Sequence, residues 1–106
     1  LTPSLRELEA AIGAETVRLL DDAAAAWAAL DPGLAWAVID SAAAGRELQR
    51  RFLAGLFALE GVPVDAAVDL GMASRAYARM TDHGVEIADR VLFAATGGQV
   101  APGEQT

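Results

Sequence analysis

The chain has 106 residues, eight basic against fifteen acidic side chains for a formal net charge of −7, and no cysteine. That length suits one domain with a single core, and the missing cysteines exclude a disulfide framework, a thiolate-held zinc or iron–sulfur centre and a cysteine nucleophile. The missing cysteines suit a reducing, cytoplasmic interior, and the acidic balance repels phosphate backbones and anionic lipid, so nucleic-acid binding is disfavoured. The longest apolar runs, Ala23 to Leu30 and Phe52 to Leu59, fall far short of the roughly 20 residues a bilayer span needs. No membrane span is expected.

In chain order, Ser4-Leu5-Arg6-Glu7 has the form of a capping box and opens the first predicted helix, because the Ser hydroxyl and the Glu carboxylate can each take an orphan amide. Leu5, Leu8, Ile12, Leu19, Ala23, Trp27 and Leu30 mark its apolar face. Asp31-Pro32-Gly33 ends that helix and starts the next, Asp being a favoured N-cap and Pro being tolerated at the first helical position. The second helix carries Trp36, Ile39, Leu48, Phe52, Leu56 and Leu59 as its heavier apolar residues. Gly61-Val62-Pro63 is the second break, with Gly at the C-cap and Pro opening the third helix. Thr96-Gly97-Gly98 stops that helix.

Along the third helix Leu70, Ala73, Tyr77, Met80, Gly84, Ile87, Val91 and Ala94 alternate spacings of three and four, the heptad seam of a helix packed lengthwise on neighbours. Long helices joined by short turns run antiparallel. The expected fold is all-α, an antiparallel up-down-up three-helix bundle of spectrin-repeat-like form over residues 1–97, with helices at about 4–30, 32–60 and 63–96 and a flexible tail over 98–106. Gly13, Gly45, Gly55, Gly71 and Gly84 fall inside helices, each costing roughly 1 kcal/mol of propensity against Ala. They point either to close approach of two backbones or to a compositional bias. Trp27 and Trp36 straddle the first turn and are expected to pack on each other or on the core.

Asp82-His83-Gly84-Val85-Glu86-Ile87-Ala88-Asp89-Arg90-Val91, closed by Ala95-Thr96-Gly97, resembles the last helix of the repeat in the PhoU family of phosphate-transport regulators, in its actinobacterial form. The resemblance runs from about Trp36 to Gly97 and extends to the first helix by length and pattern. Members usually hold two such three-helix repeats; this chain resembles one of them, the C-terminal half. The resemblance implies a non-enzymatic cytoplasmic adaptor, peripheral to the membrane through a transporter, that links a phosphate ABC transporter to a sensor histidine kinase. It also implies a homodimer, or a second repeat, covering helices 1 and 3.

The family carries paired acidic motifs, carboxylates four residues apart on two facing helices. That spacing puts oxygen ligands for a hard or borderline cation on one face. Matched to this chain, the motifs fall on Ala42 and Arg46 of the middle helix and on Ala78 and Asp82 of the last. A methyl group is no ligand, and an Arg repels a divalent cation while pairing with the carboxylate left behind. The expectation is therefore that Arg46, with Arg79 as a second candidate, pairs with Asp82 in place of a metal. No cofactor is expected. A vestigial, weak divalent-metal site at Asp82 and Glu86, with Asp89 and His83 beside them, stands against a solvated face supported by Glu86 and Arg90 one turn apart.

Asp21-Asp22 with Glu15 reads as an exposed stretch of the first helix. Ser41, Ser74 and Thr81 lack a triad or loop that would activate them, the single His83 has no nucleophile to serve as a base for, and Gly97-Gly98 follows a helix where a phosphate-cradling loop must precede one. Enzyme activity is not expected. Two readings remain, a PhoU-like adaptor acting through protein contacts and a plain three-helix interaction or dimerisation module unrelated to phosphate; a third, metal storage or sensing through acidic bundle residues, stands last because it needs ligand-dense faces that this chain largely lacks.

Overall fold

The computed structural model describes residues 3–97. Three helices account for nearly all of them: α1 (Pro3–Ala29), α2 (Pro32–Ala58) and α3 (Val64–Ala95), with no strand among the described residues. Each helix packs on both others, and the two short turns force the up-down-up order. The result is a rod, 54 × 23 × 19 Å.

The turns follow from local chemistry. At the end of α1 the Asp31 amide donates to the Ala26 carbonyl at 3.0 Å and the Leu30 amide to Trp27 at 3.4 Å, the paired bonds of a Schellman stop. That stop needs a left-handed residue, and here Leu30 supplies it at φ +48°. Asp31 then caps α2 as expected, its Oδ1 accepting from the amides of Gly33 at 2.9 Å and Leu34 at 3.2 Å. The second turn differs from expectation. The C-cap of α2 is Leu59, its amide bonded to Leu56; Gly61 lies two residues further on, where φ is +76°. Pro63 is the N-cap of α3 and lies outside the helix. The expected capping box also fails, because α1 already includes Pro3 and Ser4 sits within its first turn. At the far end, Thr96 caps α3 by bonding the Leu92 carbonyl at 2.8 Å, and Gly97 takes φ +67°. The predicted tail, 98–106, lies outside the described residues.

The core has two parts. One cluster, towards the first turn, joins Leu19, Ala23 and Ala26 of α1 with Ala35, Val38 and Ala42 of α2 and Ala88, Val91 and Leu92 of α3. The other, towards the second turn, consists of Leu5, Ile12, Phe52 and Leu56, flanked by half-buried Leu70 and Tyr77. Each buried Leu, Ile or Phe contributes about 1.5–3 kcal/mol, so both ends hold the helices together. Between them lies a polar waist of buried Thr16, Gly45, Gln49 and Thr81, while buried Ser74 sits within the second cluster, between Leu70 and Tyr77. Thr16 and Thr81 satisfy their hydroxyls on the carbonyls one turn back, Ile12 at 2.8 Å and Tyr77 at 3.0 Å. The Gln49 Nε2 group is buried without a hydrogen-bond partner.

Two internal glycines are explained by close approach. A Cβ on Gly84 would stand 2.1 Å from Leu19 Cδ2, and one on Gly55 would stand 2.6 Å from Leu5 Cδ2. At Gly71 nothing lies within 4 Å, so close approach does not account for it. The heptad seam needs correction. The buried stripe of α3 is Ser74, Thr81, Gly84, Ala88, Val91 and Leu92, whereas Met80 and Ala94 are exposed and Ile87 is half-buried. A straight helix turns 3.6 residues per turn, so a seven-residue repeat drifts about 20° per heptad, and this seam slides out of the core onto one flank. Of the expectation for the tryptophans, packing in the core does not hold. Trp27 is 55% exposed and Trp36 36% exposed, and neither belongs to the buried core.

Candidate functional site

The matched acidic-motif positions lie on α2 and α3, and antiparallel packing brings them together. Arg46 Nη2 donates to Asp82 Oδ1 at 3.0 Å. Both side chains are well exposed, so the pair contributes less than about 1 kcal/mol. Arg79 has no ion pair with Asp82 among the described residues. Ala78 is half-buried on α3, and Ala42 is fully buried in the core cluster. A carboxylate at position 42 would be desolvated there, which makes Ala the residue that packing requires.

One turn along, His83 Nδ1 and Glu86 Oε2 are 3.9 Å apart. The expected partner of Glu86 was Arg90; in the structure Glu86 turns towards His83. Asp89 is half-buried, and burial first, then the Glu86 carboxylate, push its carboxyl above the ordinary value of 3.8. Among the described residues no three His, Asp or Glu side chains converge on a point that could hold a metal ion. Asp82 is paired with Arg46, and Glu86 and Asp89, close enough for their charges to interact, gain no third ligand among the described residues. Asp21 is exposed, as expected; Asp22 and Glu15 are half-buried, and Glu15 pairs with Arg18 at 3.2 Å.

A second feature lies on the face of helices 1 and 3 that was expected to be covered. Ala24 and Trp27 of α1 and Ile87 and Arg90 of α3 line an open apolar groove of about 380 Å³. Met80, exposed at 41%, lies two turns before Ile87 on the same flank of α3, and Val17 of α1 is exposed at 61%. The outward drift of the α3 seam was the available signal, since residues that leave the core must face something else. Another shallow cleft, about 350 Å³, sits at the second turn between Leu59 and Leu70 and is bordered by Glu60. No helix among the described residues is long and apolar enough to cross a membrane.

Fold and surface define an all-α bundle that presents helix faces, its larger pockets among the described residues being open grooves. Comparison with known proteins adds a family direction. A 34-residue segment is 59% identical to the phosphate-specific transport system accessory protein PhoU homolog 2 of Mycobacterium bovis, and equally to that of Mycobacterium tuberculosis. The segment is 32% of this chain and spans only 16% of each relative. No family model matches the chain, and no solved structure matches it.

Proposed function

We propose that the protein is a PhoU-like regulator of phosphate uptake and phosphate signalling, a non-enzymatic cytoplasmic adaptor between a phosphate ABC transporter and a sensor histidine kinase. The segment of 59% identity to the PhoU homolog 2 proteins carries this reading. In it, the Arg46–Asp82 pair stands where the resemblance to the PhoU family implies a cation, and the protein works by protein contacts alone. The apolar strip on α1 and α3, exposed Val17, Ala24, Trp27 and Met80 with half-buried Ile87, is covered by a second copy of the chain.

Deleting the gene tests the role. A phosphate-starvation reporter should switch on in phosphate-rich medium and be silenced again by the wild-type gene; a reporter that stays silent in the deletion strain removes the phosphate reading. Elemental analysis and light scattering on one purified sample test the rest. A metal-free dimer is expected, and stoichiometric iron, zinc or magnesium would overturn the assignment of Arg46 as the cation's replacement.

A further inference from the structure

All eight basic residues are arginines, and five of them, Arg46, Arg50, Arg51, Arg75 and Arg79, crowd into the middle of α2 and the facing turns of α3. Arg46 touches Asp82; Arg79 lies three residues before Asp82, and Arg75 one turn before that. Arg50 lies one turn beyond Arg46 on α2. Arg46 and Arg50 thus stand on the α3 side of α2, and Arg75 and Arg79 on the outward face of α3 beside them. Two of them are spoken for, Arg46 by Asp82 and Arg50 by Glu47. Arg75 and Arg79 have no carboxylate within ion-pair distance among the described residues, and with Met72 and Ala76 they line a shallow depression of about 320 Å³.

The same face continues into bare apolar side chains. Val64, Val68 and Met72 follow one another at four-residue intervals up α3 towards Arg75, exposed at 79%, 53% and 66%. Phe57 of α2, exposed at 78%, lies seven residues, two helical turns, beyond Arg50. Asp69 is on α3 but turned about 100° from Val68, off this line. An acidic chain thus leaves unpaired guanidinium groups beside an apolar strip.

We infer that the α2/α3 face is a docking surface for an acidic amphipathic helix of a protein partner. This deepens the adaptor reading and rests on its premise that the protein acts through protein contacts. Charge complementarity selects the occupant. A guanidinium fork matches a carboxylate in a bidentate fashion, and Arg75 and Arg79, one turn apart, meet carboxylates spaced one turn apart on a partner helix. Leu-type side chains on that helix then rest on Val68 and Met72, the thioether adapting to their shape. A membrane surface fits less well, because Glu47 and Asp82 stand among the arginines and the whole chain carries −7.

The test is fluorescence anisotropy with the full chain and a labelled helical peptide of roughly 20 residues, long enough to hold a helix, with Glu and Leu on one face. Its twin has Lys for every Glu, and phosphatidylcholine–phosphatidylglycerol vesicles are the lipid probe. The acidic peptide should bind about tenfold tighter than the twin and weaken as salt is raised. Arg75→Glu/Arg79→Glu should invert that preference, and Phe57→Ser/Met72→Ser should weaken both peptides alike. All four positions are exposed, and circular dichroism confirms that the variants fold. Equal binding of the two peptides, a preference unmoved by the charge reversal, or vesicle binding without peptide binding overturns the inference. Peptide selectivity with a silent deletion reporter would remove the phosphate role and keep the face; a responsive reporter without selectivity would do the reverse.

Discussion

Gly84 shows how a single missing methyl sets the distance between helices. Leu19, buried at 2% exposure, lies where the Gly84 Cβ would be, so Gly84→Ala must displace a packed side chain. Overpacking costs about 1–3 kcal/mol, and the gain in helix propensity returns about 1. A net loss of roughly 1 kcal/mol is expected in urea denaturation. Leu5, also buried, would be crowded less closely by a Cβ on Gly55, so Gly55→Ala should cost less than Gly84→Ala. Asp89 makes a prediction in pH. Its raised pKa means that the fold disfavours the ionised carboxyl; the group costs stability above its folded pKa, and that cost vanishes as pH falls below the ordinary 3.8. Asp89→Asn should therefore raise the melting temperature at pH 7, with the advantage shrinking towards pH 3 in thermal scans.

At the level of the helices, composition and punctuation made the sequence informative. Three long apolar-periodic segments separated by Asp-Pro-Gly and Gly-Val-Pro are hard to read otherwise, and the Asp31 cap forms as its chemistry predicts. The α1 stop was legible from Asp31-Pro32-Gly33, but not the left-handed Leu30 at φ +48° that makes it, where Gly is usual. A left-handed Leu costs about 1 kcal/mol; Leu30→Gly should thus stabilise the protein by up to about 1 kcal/mol, read as an upward shift in the denaturation midpoint. The α3 seam was legible as a pattern but not as a direction, since small residues such as Ala73, Gly84 and Ala94 do not reveal whether they face a core or a groove. The Arg46–Asp82 contact could be placed by counting outward from the second turn, because antiparallel helices joined by a short turn have a fixed register. The redirection of Glu86 to His83 could not, because both spacings, three and four, are allowed on a helix.

The whole molecule is a narrow rod whose apolar strip on α1 and α3 includes Trp27. If a second copy covers that strip, light scattering should give twice the monomer mass at micromolar concentration, and tryptophan emission should shift to the blue as concentration rises. Trp27→Ala should abolish that shift together with the dimer, and a concentration-independent monomer spectrum would count against it.

The divided core has a dynamic consequence. The end at the first turn is closed by nine buried apolar residues and the other by four, with a polar waist and an unsatisfied Gln49 amide between them. Such a rod is expected to open in two stages, because local unfolding follows the density of buried apolar contacts. Native-state hydrogen exchange should find amides around Val38 and Val91 protected up to the global unfolding free energy, and those around Leu8, Phe52 and Leu70 released earlier. Phe57, Val64, Val68 and Met72 belong to the half released earlier. A helix bound across them would act as a splint, slowing exchange in residues it never touches on α1, so that occupancy on one side of the rod is registered as rigidity on another.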